Sequence, residues 1–180
     1  MTKRLYTGLL LGAALLMAQV GFAYNQGRDE DAKRIEQEVR HELVTLPFYS
    51  VFDYFTFRVD GETVTLMGKV SRPTLKSDAE NVIKRIEAVD KVSNQIEVLP
   101  LSPSDDRLRL ALYRSIYGHS VLETLAIRAV PPIHIIVDRG NVTLEGVVGN
   151  AMQKQVAGIQ ANSVAGVFSV TNNLRVESED

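Results

Sequence analysis

The chain writes one strand twice. "TVTLMGKV" at 63–70 has a near twin in "NVTLEGVV" at 141–148. At a constant offset of 78, Val64 meets Val142, Thr65 meets Thr143, Leu66 meets Leu144, Gly68 meets Gly146 and Val70 meets Val148. The match continues without a gap through Ala79 and Ala157, Val89 and Val167, Val92 and Val170, Asn94 and Asn172, and Val98 and Val176. Solenoid repeats usually run about 20–50 residues. This period is longer, and each copy is long enough to be a small domain.

The periodicity inside each copy gives the order of elements. Ile35, Val39 and Leu43, and later Leu108, Leu112 and Ile116, stand four apart, the spacing of an apolar helix stripe. Two alternating runs follow in each copy, "YFTFRV" then "TVTLMGKV", and "IHIIV" then "NVTLEGVV". Turn residues separate them, Asp60-Gly61-Glu62 in one and Asp138 to Asn141 in the other. A second helix is expected with Ala79, Val82, Ile83 and Ile86 on one face. Its counterpart carries Ala157, Gln160, Ala161 and Val164, a weaker core face, beside another apolar row of Met152, Val156 and Ile159. That row is a contact surface if the register holds and core if the helix is rotated. A last strand closes each copy, around Val92 to Val98 and Val170 to Val176. The reading is α+β, with two tandem αββαβ units.

Gly68 and Gly146 share parity with the inward Val and Leu. A glycine inside a strand weakens it unless something needs the room, and close approach of a helix backbone is the expected reason. Asn94 and Asn172 also have inward parity. A buried amide must find partners, so each is expected to lock the chain entering the last strand.

The first 23 residues have the layout of a secretory signal peptide. Lys3 and Arg4 precede an apolar stretch from about Leu9 to Val20, and Gly21 and Ala23 sit at −3 and −1 of a cut. The apolar stretch is short for a span, which takes about 20 residues; a retained anchor is the alternative. The domain plan is 1–23 signal peptide, 30–98 first unit, 99–104 a stiff two-proline linker, and 105–177 second unit. Cleavage after about Ala23 leaves 18 basic and 22 acidic residues. A mildly acidic exported chain is a poor binder of nucleic acid, and none is expected as a partner. There is no cysteine, which excludes disulfides and thiolate metal sites. His41, His119 and His134 are too far apart for a local metal motif, and no phosphate loop or nucleophile elbow is present. No catalytic residue, metal or cofactor is expected.

The two copies resemble the BON-domain family. The second shows "GNVTLEGVV" at 140–148 and "VAGVFSVTNNLRV" at 164–176. The first shows "GETVTLMGKV" at 61–70 and "IEAVDKVSNQIEV" at 86–98, with one extra residue between Gly61 and Val64, and Ala88 where the family has glycine at the position of Gly166. The resemblance implies two helices packed on a three-stranded mixed sheet in each unit, with Gly68, Asn94, Gly146, Gly166 and Asn172 as fold-motif positions. It implies a non-enzymatic protein of the periplasm, concerned with envelope integrity and osmotic stress and touching phospholipid or another envelope component.

The residues point to the helix "DDRLRLALYRSIYGHS" as the contact. Asp105 or Asp106 is expected to cap it. Beside its core stripe runs a second stripe of Leu110, Tyr113 and Tyr117, with Arg107, Arg109 and Arg114 around it. Aromatic and aliphatic groups flanked by guanidinium groups suit the interface of an anionic bilayer. Lipid contact requires Tyr113, Arg114 and Tyr117 exposed. The alternative is an adaptor or chaperone-like factor that binds envelope proteins, with those residues buried between units or against a partner.

Overall fold

The structure is a computed structural model that describes residues 32–177. The expected signal peptide and its cut after Ala23 lie outside the described residues. The first unit opens with a helix over 32–44, α1. Strands β1 (Tyr54–Asp60) and β2 (Thr63–Val70), helix α2 (Pro73–Ile83), and short strands β3 (Lys91–Asn94) and β4 (Glu97–Val98) follow. The second unit repeats the order with α3 (Pro103–Tyr117), β5 (Ile133–Asp138), β6 (Asn141–Val148), α4 (Ala151–Asn162), β7 (Ser169–Asn172) and β8 (Arg175–Val176). A 3-10 turn at Glu123–Ile127, which the periodicity did not indicate, lies between α3 and β5.

In each unit the middle strand pairs antiparallel with the first and parallel with the last. A parallel pair needs a crossover, and α2 and α4 supply it. The apolar helix stripes meet the inward strand residues in two separate cores. Ile35, Val39, Leu43, Leu66 and Ile83 lie in one, and Leu112, Ile116, Ile135, Leu144 and Leu174 in the other. On α4 the register holds: Ala157 and Ala161 are buried while Met152 and Ile159 are exposed.

The hairpin turns have two residues each, so the apparent extra residue of the first copy is a displaced glycine. Arg139 and Gly140 both have positive φ, the signature of a type I′ turn. In the first unit only Gly61, the first turn residue, has positive φ, as in type II′.

The strand glycines answer to the neighbouring strand and not, as expected, to a helix. Gly68 and Gly146 have φ of 120° and 122°, and a Cβ on either would lie 2.0 Å from the carbonyl oxygen of Tyr54 or Pro132. Opposite each glycine the last strand lapses, which divides it into β3 and β4 or β7 and β8 although the register is the same on both sides. Asn94 and Asn172 fill the lapse. Their Oδ1 atoms accept from Ile96 N–H and Leu174 N–H at 3.2 Å. Their amides donate to the Lys76 and Lys154 carbonyls of the packed helices.

The units pack through their helix-free faces. The stretch 49–54 of the first unit runs along β5, and Ile135 N–H donates to the Val51 carbonyl at 2.7 Å. Val51 belongs to the second unit's core. His134 and Ile136, on the outer face of β5, are buried. Tyr49 and Tyr54 flank His134 with ring centroids at 5.6 and 5.4 Å. Asp53 is wholly buried beneath this seam, and its carboxylate accepts from the N–H and Oγ of both Ser50 and Ser71. Farther along, a cleft of about 350 Å³ opens between the sheets.

Candidate binding surface on the second unit

Helix α3 is started by Ser102, whose hydroxyl accepts from Asp105 N–H at 3.2 Å, and Pro103 occupies the first turn where its missing donor costs nothing. The helix therefore begins inside the stretch expected to be linker. Asp105 is not the cap. Its carboxylate reaches to the β5–β6 turn and accepts from Arg139 N–H and Gly140 N–H at 2.9 and 3.0 Å. That contact fixes the turn against the first coil of the helix.

The six residues expected to form a contact face are divided by the fold. Arg109 is buried, pairs with Asp106 and donates from Nη2 to the Val137 carbonyl at 2.8 Å. Tyr117 is buried too. Its hydroxyl donates to the Ile133 carbonyl at 2.7 Å and accepts from Ile133 N–H at 2.9 Å, while burial pushes its pKa up. Both residues thus hold α3 to β5, so the exposure of Tyr117 that lipid contact required is absent, and Arg109, a candidate contact residue, is engaged inside the fold. Tyr113 is half-buried, edge-on to Phe52 of the first unit at 6.3 Å and next to Tyr117 at 5.0 Å. Arg107, Leu110 and Arg114 remain exposed, and neither arginine forms an ion pair with a described residue.

A groove of about 710 Å³ lies beside Arg107, between the start of α3, the β5–β6 turn and the loop after α4. Arg139, Gly166 and Phe168 line its far side. Phe168 is 86% exposed and Leu101, just before the helix, 93%. Phe168 and Arg139 were missed in the sequence reading, yet a signal existed. At the offset of 78, Phe168 falls on Asp90, and it interrupts the inward run of Val164, Val167 and Val170. The first unit carries Glu62, Glu87 and Asp90 at the end where the second carries Gly140, Ala165 and Phe168. At these three positions, acids of the first unit give way to glycine, alanine and phenylalanine in the second.

The histidines do not converge. His41 is exposed, His119 accepts from Val121 N–H through Nδ1, and His134 is in the seam. Among the described residues no three His, Cys, Asp or Glu side chains stand where they could hold a metal ion. No helix among them is long and apolar enough to cross a membrane.

Comparison with curated proteins finds no match. Among solved structures, the C-terminal domain of CdsD, the structural protein of the Type III secretion system of Chlamydia trachomatis, is similar at 14% identity over 79% of this chain and 96% of that one, with a TM-score of 0.29. A second CdsD structure gives 15% identity, 81% and 94% coverage, and a TM-score of 0.30. The pattern that defines the BON domain matches residues 31–100 and 119–178, the second match beginning after α3. Two matches covering well over half of the sequence, on two units of the same topology, make this chain a member of the BON-domain family.

Proposed function

We propose that this chain is a non-enzymatic, exported binding module of the cell envelope that touches anionic phospholipid surfaces through its second unit. The face of Tyr113 and Tyr117 does not serve it, since Tyr117 is buried and Tyr113 packs on Phe52, as the adaptor reading expected. The observation that carries the lipid reading is instead the company kept by other exposed groups of this unit. Phe168 stands out from the fold across one groove from Arg107 and Arg139, and Leu110 and Arg114 follow Arg107 as exposed residues of α3. The nearest carboxylate oxygen to the Arg139 guanidinium, that of Asp138, is 4.0 Å away. Apolar tips enter the headgroup layer while guanidinium groups meet phosphate. Each arginine contributes about 1 kcal/mol near an anionic surface, so binding is reversible and falls with salt. The N-terminal segment fits export to the periplasm with cleavage after about Ala23, and the family resemblance fits a part in envelope integrity under osmotic stress.

A second reading is an adaptor for envelope proteins. The exposed Met152 and Ile159 on α4 favour it, since the matching positions of α2 are Thr74 and Asn81. Cosedimentation with vesicles separates the two. The lipid reading expects binding that grows with anionic lipid content and is lost when Arg107, Arg114 and Arg139 become Gln. Salt-insensitive binding, or none at low salt, overturns it in favour of the adaptor.

A further inference from the structure

We propose that the seam between the two units contains a binding site for a phosphate-sized oxyanion, built by Arg40 of the first unit and Arg175 of the second. A pocket of about 250 Å³ lies there, and Arg40, Arg175, Tyr54, Thr56 and Glu36 line it. Arg40 comes from α1, where its guanidinium lies 5.6 Å from the centre of the Phe57 ring. Arg175 comes from β8 and is exposed. Neither forms an ion pair with a described residue. Two like charges from distant parts of the chain therefore converge on one small recess.

Both cations act on the same group. Burial, with the Glu145 carboxylate, raises the pKa of the Tyr54 phenol, and Arg175 and Arg40 oppose that rise. Tyr54 thus stays a neutral hydroxyl at ordinary pH, able to donate. A tetrahedral oxyanion in the recess would meet two guanidinium groups, whose planar forks suit phosphate oxygens, together with the hydroxyls of Tyr54 and Thr56. The volume lies below the roughly 300–1,000 Å³ usual for drug-sized ligands, which selects a small anion or the phosphate end of a larger one. Among the described residues Glu36 is the one acid in the lining, and it works against an anion, as does the Glu145 carboxylate whose charge reaches Tyr54.

This site uses none of the residues of the lipid-facing surface, so either proposal can fail alone. It has a mechanical consequence. An anion held by residues from both units binds only while they are apposed, and by mass action it stabilises that arrangement.

The test is an NMR titration of the full chain with inorganic phosphate at constant ionic strength, with chloride as the balancing anion. The expected result is saturable shifts confined to the neighbourhood of Tyr54 and Arg175. Arg40→Gln and Arg175→Gln should each weaken the apparent Kd about tenfold, the loss of one charge-assisted contact. Glu36→Gln should tighten it several-fold. Glycerol 3-phosphate in a parallel titration identifies the source. Binding of both admits the phosphate end of a larger phosphomonoester as an occupant, and selective binding of inorganic phosphate assigns the free ion. Shifts that are linear in phosphate and spread over the surface overturn the proposal. So does a saturable response that persists unchanged when both arginines are replaced and the spectrum remains native.

Discussion

At the scale of single residues, the repeat makes each feature testable twice. Gly68 and Gly146 sit at φ values that L side chains rarely adopt, and a methyl group would collide with the facing carbonyl. Replacing either by Ala should cost about 3 kcal/mol or more, with urea unfolding as the readout. Ala88 is the reverse case. It holds φ of 73° where the second unit has Gly166 at 95°. Left-handed backbone costs a non-glycine residue roughly 1–2 kcal/mol, and the extra freedom of glycine in the unfolded chain returns about 0.4–1 kcal/mol of that. Ala88→Gly should therefore stabilise the protein by about 0.5–1 kcal/mol. The inward parity of the glycines and asparagines was legible in the sequence. The atom each glycine avoids was not, because periodicity assigns a face to a residue and says nothing about which backbone crosses it.

At the scale of elements, helices and hairpins followed from apolar spacing and turn residues, since local pattern decides them. The lapse in each last strand did not follow, because it is made by Asn94 and Asn172 side-chain bonds to Ile96 and Leu174 N–H that periodicity does not register. Nor did the division of α3. Its second stripe reads as a continuous face, but Tyr117 turns in to bond Ile133 and Tyr113 packs on Phe52. Both contacts depend on how β5 and the stretch 49–54 are placed. That stretch also produces a pH dependence. His134 faces Tyr49, Asp53 and Tyr54 from the first unit, and Glu145 lies opposite it on β6. Burial, the largest influence, lowers its pKa, and Asp53 only partly offsets this. The unfolded chain therefore takes up the proton first on acidification. The contribution is complete above the unfolded value of about 6.5 and is lost as pH falls through the lower folded value. Denaturation midpoints measured across this range should fall with acidity. The His134→Gln variant should flatten that part of the profile, and an unchanged slope would count against this role.

At the scale of the whole molecule, two copies of one fold are joined back to back, and their outer ends differ in chemistry. The first unit has Glu62, Glu87 and Asp90 where the second has Gly140, Ala165 and the exposed Phe168. Duplication was written in the sequence, as was the more basic character of the second copy, which has seven basic and five acidic residues over 99–176 against 11 and 14 over 24–98. The binding surface was only partly legible. Arg107, Leu110 and Arg114 remain exposed, while Arg139 and Phe168 join Arg107 from loops that are close only after β5, β6 and β7 assemble. The most direct measurement is cosedimentation of protein lacking residues 1–23 with vesicles of rising phosphatidylglycerol content, at low and moderate salt. The account expects binding that rises with anionic lipid and falls with salt. It expects loss of about tenfold or more when Arg107, Arg114 and Arg139 are replaced by Gln, with the fold intact by circular dichroism. Equal binding by that variant, or no binding to anionic vesicles at low salt, would contradict it.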